Sequence, residues 1–342
     1  MTAADATTDI TDSAQQPPVA RRRRTAGWRI VARKEMADHV LSARFGILIL
    51  ILGLIGAASV YAAASALRDA VPSLDPALGG VPALFLRLFT VQADPLPFSF
   101  VQFVAFIGPP LGIAFGFDSI NGERSQSTLP RLVSQPIHRD DVINGKYAAG
   151  LGVIAIMLTV VMALVAGYGI LRLGIVPSAG EVARMVVWLV VAVAYIGVWL
   201  AFAILCSVST RRAATAALLA FALWLVVIPW LFFSTFAGIA ADAVSPTGTT
   251  QEEQLSNAKT ELALLRLSPY YVFQESTAVL LDPEVGALGV LTPEQVDRAL
   301  LSELSLTDSI LVAWPQITAL LAATVVVFAV SYVVFMRQEI RA

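Results

Sequence analysis

"NGERSQSTLPRLVSQPIHRDDVINGK", residues Asn121–Lys146, stands between two of the most apolar runs of the chain, Pro97–Phe117 and Tyr147–Leu171. The insert carries four Arg or Lys and three Asp or Glu residues, whereas the two flanking runs carry none. A helix needs about 20 consecutive apolar residues to cross a hydrocarbon core about 30 Å thick. Each flank therefore has the length of a membrane crossing, and the insert is the loop that joins them. Four more runs qualify: Phe45–Leu67, Val182–Ser207, Ala213–Gly238 and Ser309–Phe335. Lipid offers no partner to backbone N–H and C=O groups, and long runs rather than ten-residue alternations exclude a β-barrel. The fold class is an all-α integral membrane protein with six transmembrane helices.

Composition points the same way. Of 342 residues, 57% are hydrophobic and 14% charged, which is more apolar surface than a soluble core of this size buries. The net charge of -2 conceals an uneven distribution. Arg21–Arg24, Arg29, Arg33, Lys34 and Arg44 precede the first run; Arg124, Arg131, Arg139 and Lys146 follow the second; Arg211 and Arg212 follow the fourth; Arg337 and Arg341 end the chain. In a six-span chain these segments fall on one side, and the positive-inside rule makes that side cytoplasmic, both termini included. No nucleic-acid partner is implied.

The sequence holds no constellation for covalent chemistry. A lone Cys206 excludes an internal disulfide and a cysteine metal cluster, and His39 and His138 are remote in sequence, with no carboxylate cluster beside either. No ionisable residue falls in the middle of a span, where gradient-driven carriers and intramembrane enzymes need them. No catalytic, cofactor or metal site is expected in this chain.

Around the spans, residues 1–26 read as a disordered basic tail. Residues 27–44 read as an amphipathic helix on the membrane surface, with Trp28, Met36 and Val40 on its apolar face and Arg33 and Lys34 on the remaining surface. Residues 239–308 form an extracytoplasmic loop before the last span. It contains a helix around Thr250–Leu267, a short apolar segment "SPYYVFQESTAVLL" that dips into the outer leaflet, and a capping box from Thr292 to Gln295. Pro109, Pro110 and Pro229 remove backbone donors inside spans and predict helix kinks.

The insert has its own punctuation. Asn121-Gly122 is a turn signal, Ser127 or Thr128 caps a short helix with Pro130 in its first turn, and Pro136 stops it. Leu129, Leu132 and Val133 then share one face, framed by charge, which fits a groove on a cytoplasmic protein. A membrane scaffold or sensor would share every one of these features except a transport pathway.

At these residues the chain resembles a known family. Asp118, Gly122-Glu123-Arg124, Thr128-Leu129, Leu132, Ser134, Gln135-Pro136-Ile137, Arg139 and Gly145-Lys146 resemble the cytoplasmic loop of ABC-2 type permeases, the membrane subunits of ATP-binding cassette exporters, including the branch of the nitrous-oxide-reductase maturation permease. The resemblance implies a 45–342 permease domain in the cell inner (cytoplasmic) membrane, with residues 118–146 as its cytoplasmic coupling loop. It implies a homodimer, or a heterodimer with a second permease, working with two copies of an ATPase subunit that binds ATP and Mg. It assigns Glu123 and Arg124 as anchors of the loop, Thr128, Leu129, Leu132 and Val133 as the ATPase contact face, and Arg139 and Lys146 as the anchors of its return. Gly145-Lys146 does not end a phosphate-binding loop, because position 140 is Asp and Tyr147 stands where Ser or Thr is required.

Overall fold

The computed structural model describes residues 27–70, 83–125, 138–227, 234–245, 248, 250–285, 287–289 and 304–338, and every regular element among them is an α-helix. In chain order these are α1 (Gly27–Val40), α2 (Ala43–Ala70), α3 (Leu84–Thr90), α4 (Phe100–Gly116), α5 (Asn121–Ser125), α6 (Arg139–Leu173), α7 (Ala179–Ser209), α8 (Ala213–Val227), α9 (Ser234–Val244), α10 (Gln251–Leu265), α11 (Pro269–Leu281) and α12 (Leu306–Arg337). The basic tail, the capping box from Thr292 to Gln295 and Pro229 lie outside the described residues.

Five helical stretches are long and apolar enough to cross a membrane: Ala43–Asp69, Phe100–Ser125, Arg139–Leu173, Ala179–Ser209 and Leu306–Arg337. The expectation of six uninterrupted spans is met for these five. The remaining run, Ala213–Gly238, is not one described helix: it is shared by α8, 15 residues, and α9, 11 residues. At 1.5 Å per residue these reach only about 22 Å and 16 Å, each short of a hydrocarbon core.

A close seam runs between α4 and α7. Apolar contact alone does not drive helices together in lipid, so close backbone approach through small residues matters more than in water. Gly108, Gly112 and Gly116, four residues apart, face α7: a Cβ on Gly112 would lie 2.7 Å from the Ile196 carbonyl oxygen and 2.9 Å from the Leu200 nitrogen, and one on Gly116 would lie 2.7 Å from Ala203 Cβ. Pro109, inside α4, has no N–H to give the carbonyl of Ala105 one turn back. The buried Tyr195 hydroxyl of α7 donates to that carbonyl at 2.8 Å. Thus Pro109 creates a free acceptor and α7 fills it. Tyr195→Phe should cost about 1–2 kcal/mol, and much less in a Pro109→Ala background that returns an N–H to position 109; thermal unfolding of the two single variants and the double variant in detergent measures that coupling.

α11 is the short apolar segment expected to dip into the outer leaflet. Its described contacts are with the bundle: Phe273 stacks on Tyr195 with ring centroids 4.5 Å apart, and Thr277 accepts from the Trp188 indole N–H at 3.0 Å. The buried Arg184 of α7 joins three strands of chain there, donating to the Leu280 carbonyl at 3.1 Å, to Ser309 Oγ at 2.9 Å and to the Leu304 carbonyl. Glu275 on α11 is held by Arg266 through paired bonds of 2.9 Å and accepts from Gln316 of α12 at 3.1 Å. The loop preceding the last span thus brings a carboxylate against a spanning helix, which no run-length reading reveals.

Candidate coupling site

The two ends of the 118–146 loop come together at one end of the bundle. On the outgoing side, Ser207 at the end of α7 accepts the N–H groups of Ile120 and Asn121 at 3.0 and 3.2 Å, and the Asn121 amide reaches Thr210 at 3.3 Å. Arg124 donates to the side chain of Gln338, at the end of α12, and Gln338 in turn donates to the Val208 carbonyl at 2.8 Å. On the returning side, Arg139 donates to the Gln338 carbonyl at 2.8 Å and to the Phe335 carbonyl at 3.3 Å, with its guanidinium over the Phe335 ring. The Phe335 carbonyl also accepts the Gln338 N–H at 3.3 Å, the Gln338 carbonyl lies beyond the last intrahelical donor, and a cation there complements the helix dipole. Both stems of the loop therefore grip the same end of α12.

Lys146 closes the arrangement. Its side chain is 3% exposed, and its Nζ lies 2.7 Å from Glu123 on α5 and 3.1 Å from Glu35 on α1. One ammonium between two carboxylates is a buried cluster in which each partner depends on the others. Nearby, Arg44 at the start of α2 pairs with Asp118 at 2.7 Å and donates to the Ala114 carbonyl at 2.5 Å, so the entrance to the first span is fixed to the exit of the second.

α1 contributes more than a membrane surface. It packs along α6: the Trp28 N–H donates to Asp141 at 2.9 Å, Val31 and Ala32 are buried, and a Cβ on Gly145 would come within 2.6 Å of Val31 Cβ. Trp28 and Val40 are each 37% exposed, Arg33 and Lys34 are exposed, and Met36 is half-buried and packed against the core. The face turned to the protein thus includes Glu35 and His39, both missed by a reading that sorted only apolar against charged positions. The missing signal is tertiary: Glu35 is placed inward by Lys146, 111 positions away.

Two groups on α1 have displaced ionisation. Burial opposes the charged form of Glu35, but Lys146 and then Lys34 outweigh it and hold the carboxyl below its ordinary value. Burial also pushes His39 below its ordinary 6.5, helped by Lys146 and Arg44 against the opposing pull of Glu35 and Asp118. The imidazole packs edge-on to Phe115 at 5.4 Å. A lowered histidine value means that the undocked helix takes the proton first. Docking of α1 is therefore strongest above about pH 6.5 and weakens as pH falls through the lower, docked value. A nitroxide at exposed Ala37 should become more mobile between about pH 7.5 and about pH 5.5, and His39→Gln should abolish that step.

Of the expected coupling residues, Glu123, Arg124, Arg139 and Lys146 are brought into one connected region, whereas Thr128, Leu129, Leu132 and Val133 lie outside the described residues. Of the expected kink residues, Pro109 and Pro110 lie within α4. The described residues contain no group of three His, Cys, Asp or Glu side chains placed to hold a metal ion.

Several long apolar helices, tied at one end by a polar stem around an inserted loop, define a multi-pass helical membrane protein. The model of the ABC-2 family transporter proteins matches residues 29–340, and the chain belongs to that family. It is thus a membrane-spanning permease of the ABC transporter class, whose members work with an ATPase subunit. No curated protein matches the chain.

Proposed function

We propose that this chain is the permease subunit of an ATP-driven exporter in the cell inner membrane, paired with a second permease and with two copies of a separate ATPase that binds ATP and Mg. The observation that carries this reading is the double anchoring of the loop: its outgoing and returning stems both bind the end of α12, and Lys146 ties them to α1. A push on the loop between them is delivered to α4, α6, α7 and α12 as a unit, and rigid-body movement of packed helices is how such transporters change access.

Chain direction supports a sixth crossing. α7 ends beside the loop stem, where Thr210 meets Asn121, whereas α12 begins at the opposite end, where Ser309 meets Arg184 near the start of α7. The chain between Thr210 and Ser309 must traverse the bundle, and α8 and α9 with residues 228–233 are the apolar stretch available for it. Both termini then lie on the cation-rich, cytoplasmic side. In this reading Thr128, Leu129, Leu132 and Val133 meet the ATPase, Pro229 breaks the divided crossing, and residues 239–308 face outward. A mild-detergent pull-down from native membranes tests the coupling: an ATPase should accompany the tagged chain and be lost from a folded Leu129→Asp, Leu132→Asp variant. Equal recovery with both chains would remove the loop from the interface.

A further inference from the structure

Beside the coupling stem a hollow of about 500 Å³ is lined by Arg124, Ser125, Ser209, Arg211 and Gln338. No carboxylate is among its described lining residues. Of the other described cations of this end, Arg44 is engaged by Asp118, Lys146 by two glutamates and Arg139 by the carbonyls of α12, whereas Arg33, Arg212 and Arg337 are exposed and do not line the hollow. Arg211 lines the hollow and is exposed, with no hydrogen bond or ion pair to any described residue. Arg124 is half-buried, donates only to the neutral Gln338 side chain, and lies within electrostatic reach of Arg211. Two guanidinium groups thus face one hollow without a countercharge among the described residues, an arrangement that an anion relieves.

The position indicates which anion. Ser209 closes α7, Gln338 follows α12 and Ser125 closes α5, so the hollow lies where spanning helices end, at headgroup depth rather than within the apolar layer. The adjoining helices expose Leu218 and Leu219 on α8 and Val333 and Met336 on α12, which provide apolar surface for acyl chains. Basic pockets between membrane helices on the cytoplasmic side suit lipid phosphates, and guanidinium matches phosphate oxygens in a paired geometry. We propose that this hollow binds the phosphate headgroup of an anionic phospholipid of the cytoplasmic leaflet. The inference rests on the cytoplasmic placement proposed above. A bound headgroup would clamp the ends of α7 and α12 to the outgoing stem of the coupling loop, making the loop's anchoring depend on lipid composition.

The test is native mass spectrometry of the full chain released from phosphatidylcholine nanodiscs doped with phosphatidylglycerol. The wild type should retain phosphatidylglycerol in preference to phosphatidylcholine. Retention should fall about fivefold in Arg211→Gln and about thirtyfold in Arg124→Gln, Arg211→Gln, taking the usual contribution of one basic residue at an anionic surface. Arg211 is exposed, so its single variant separates binding from folding. Added inorganic phosphate should not displace the lipid; displacement would mean a small-anion site and overturn the proposal, as would equal retention by wild type and Arg211→Gln. Loss of the ATPase from Arg211→Gln with lipid retention unchanged would assign the hollow to an acidic protein surface instead. Retention seen only in Glu339→Gln, which removes the carboxylate next after Gln338, would show that the chain supplies its own anion. Failure of the exporter reading is seen separately, as absence of an ATPase from wild-type pull-downs.

Discussion

Lys146→Met should lower the unfolding free energy of the solubilised chain by about 3–5 kcal/mol, the usual penalty for removing one member of a buried ion cluster. The loss would come less from the attraction removed than from what remains: Glu35 and Glu123, 12% and 16% exposed, lose the buried ammonium they share, and only the exposed Lys34, 3.2 Å from Glu35, stays beside Glu35. Adding Glu35→Gln and Glu123→Gln to Lys146→Met should restore most of the stability, because a neutral cluster carries no such penalty. The pH response should also invert. In the wild type the Glu35 carboxyl is held low, so its contribution is present above the ordinary value of 4.5 and is lost as pH falls through the lower folded value. In Lys146→Met the burial that opposes the charged form of Glu35 loses the larger of the two charges that outweigh it, so the deficit should shrink on acidification. Thermal unfolding of the three proteins across that pH range measures both effects.

Gly112→Leu should separate α4 from α7 and cost more than 3 kcal/mol, beyond the usual range for an over-packed core. The atoms in the way are Ile196 oxygen and Leu200 nitrogen; they are backbone, so no rotamer change relieves the clash, and Tyr195 would lose its reach to Ala105 as the helices part. Gly53→Leu is the control, since nothing lies within 4 Å of a Cβ at Gly53. Its substitution on α2 should leave stability unchanged or raise it, because glycine is the poorer helix former. A similar loss in both variants would mean that the close approach at Gly112 does not carry the effect.

These two variants also mark what the sequence makes legible. Run length locates the crossing helices because the bilayer sets a length scale that few residues suffice to meet, and five of the six runs appear as single spanning helices. The 118–146 loop is legible because Asn121-Gly122 and the charges break an apolar background. Glu123, Arg124, Arg139 and Lys146 were visible as stem residues, but not their partners. Glu35 and Gln338 are ordinary polar residues in sequence, and only tertiary placement brings them to the stem. Gly108, Gly112 and Gly116 are plain in the sequence, yet Pro109 and Pro110 drew the reading toward kinks. The packing role depends on which face meets α7, and apolar periodicity is weak where lipid and protein faces are both greasy. The same limit concealed what α11 packs against: a segment too short to span has no apolar count that separates lipid from protein as its surroundings.

Cysteine cross-linking in membranes containing the chain and its co-purifying ATPase tests the central claim most directly, because Cys206 is buried and gives a quiet background. Leu132→Cys should cross-link to the ATPase and slow ATP hydrolysis, whereas Val176→Cys, 87% exposed in the connection between α6 and α7 at the far end of the bundle, should do neither. Cross-linking from position 176 and none from position 132 would place the ATPase at the wrong end and contradict the account.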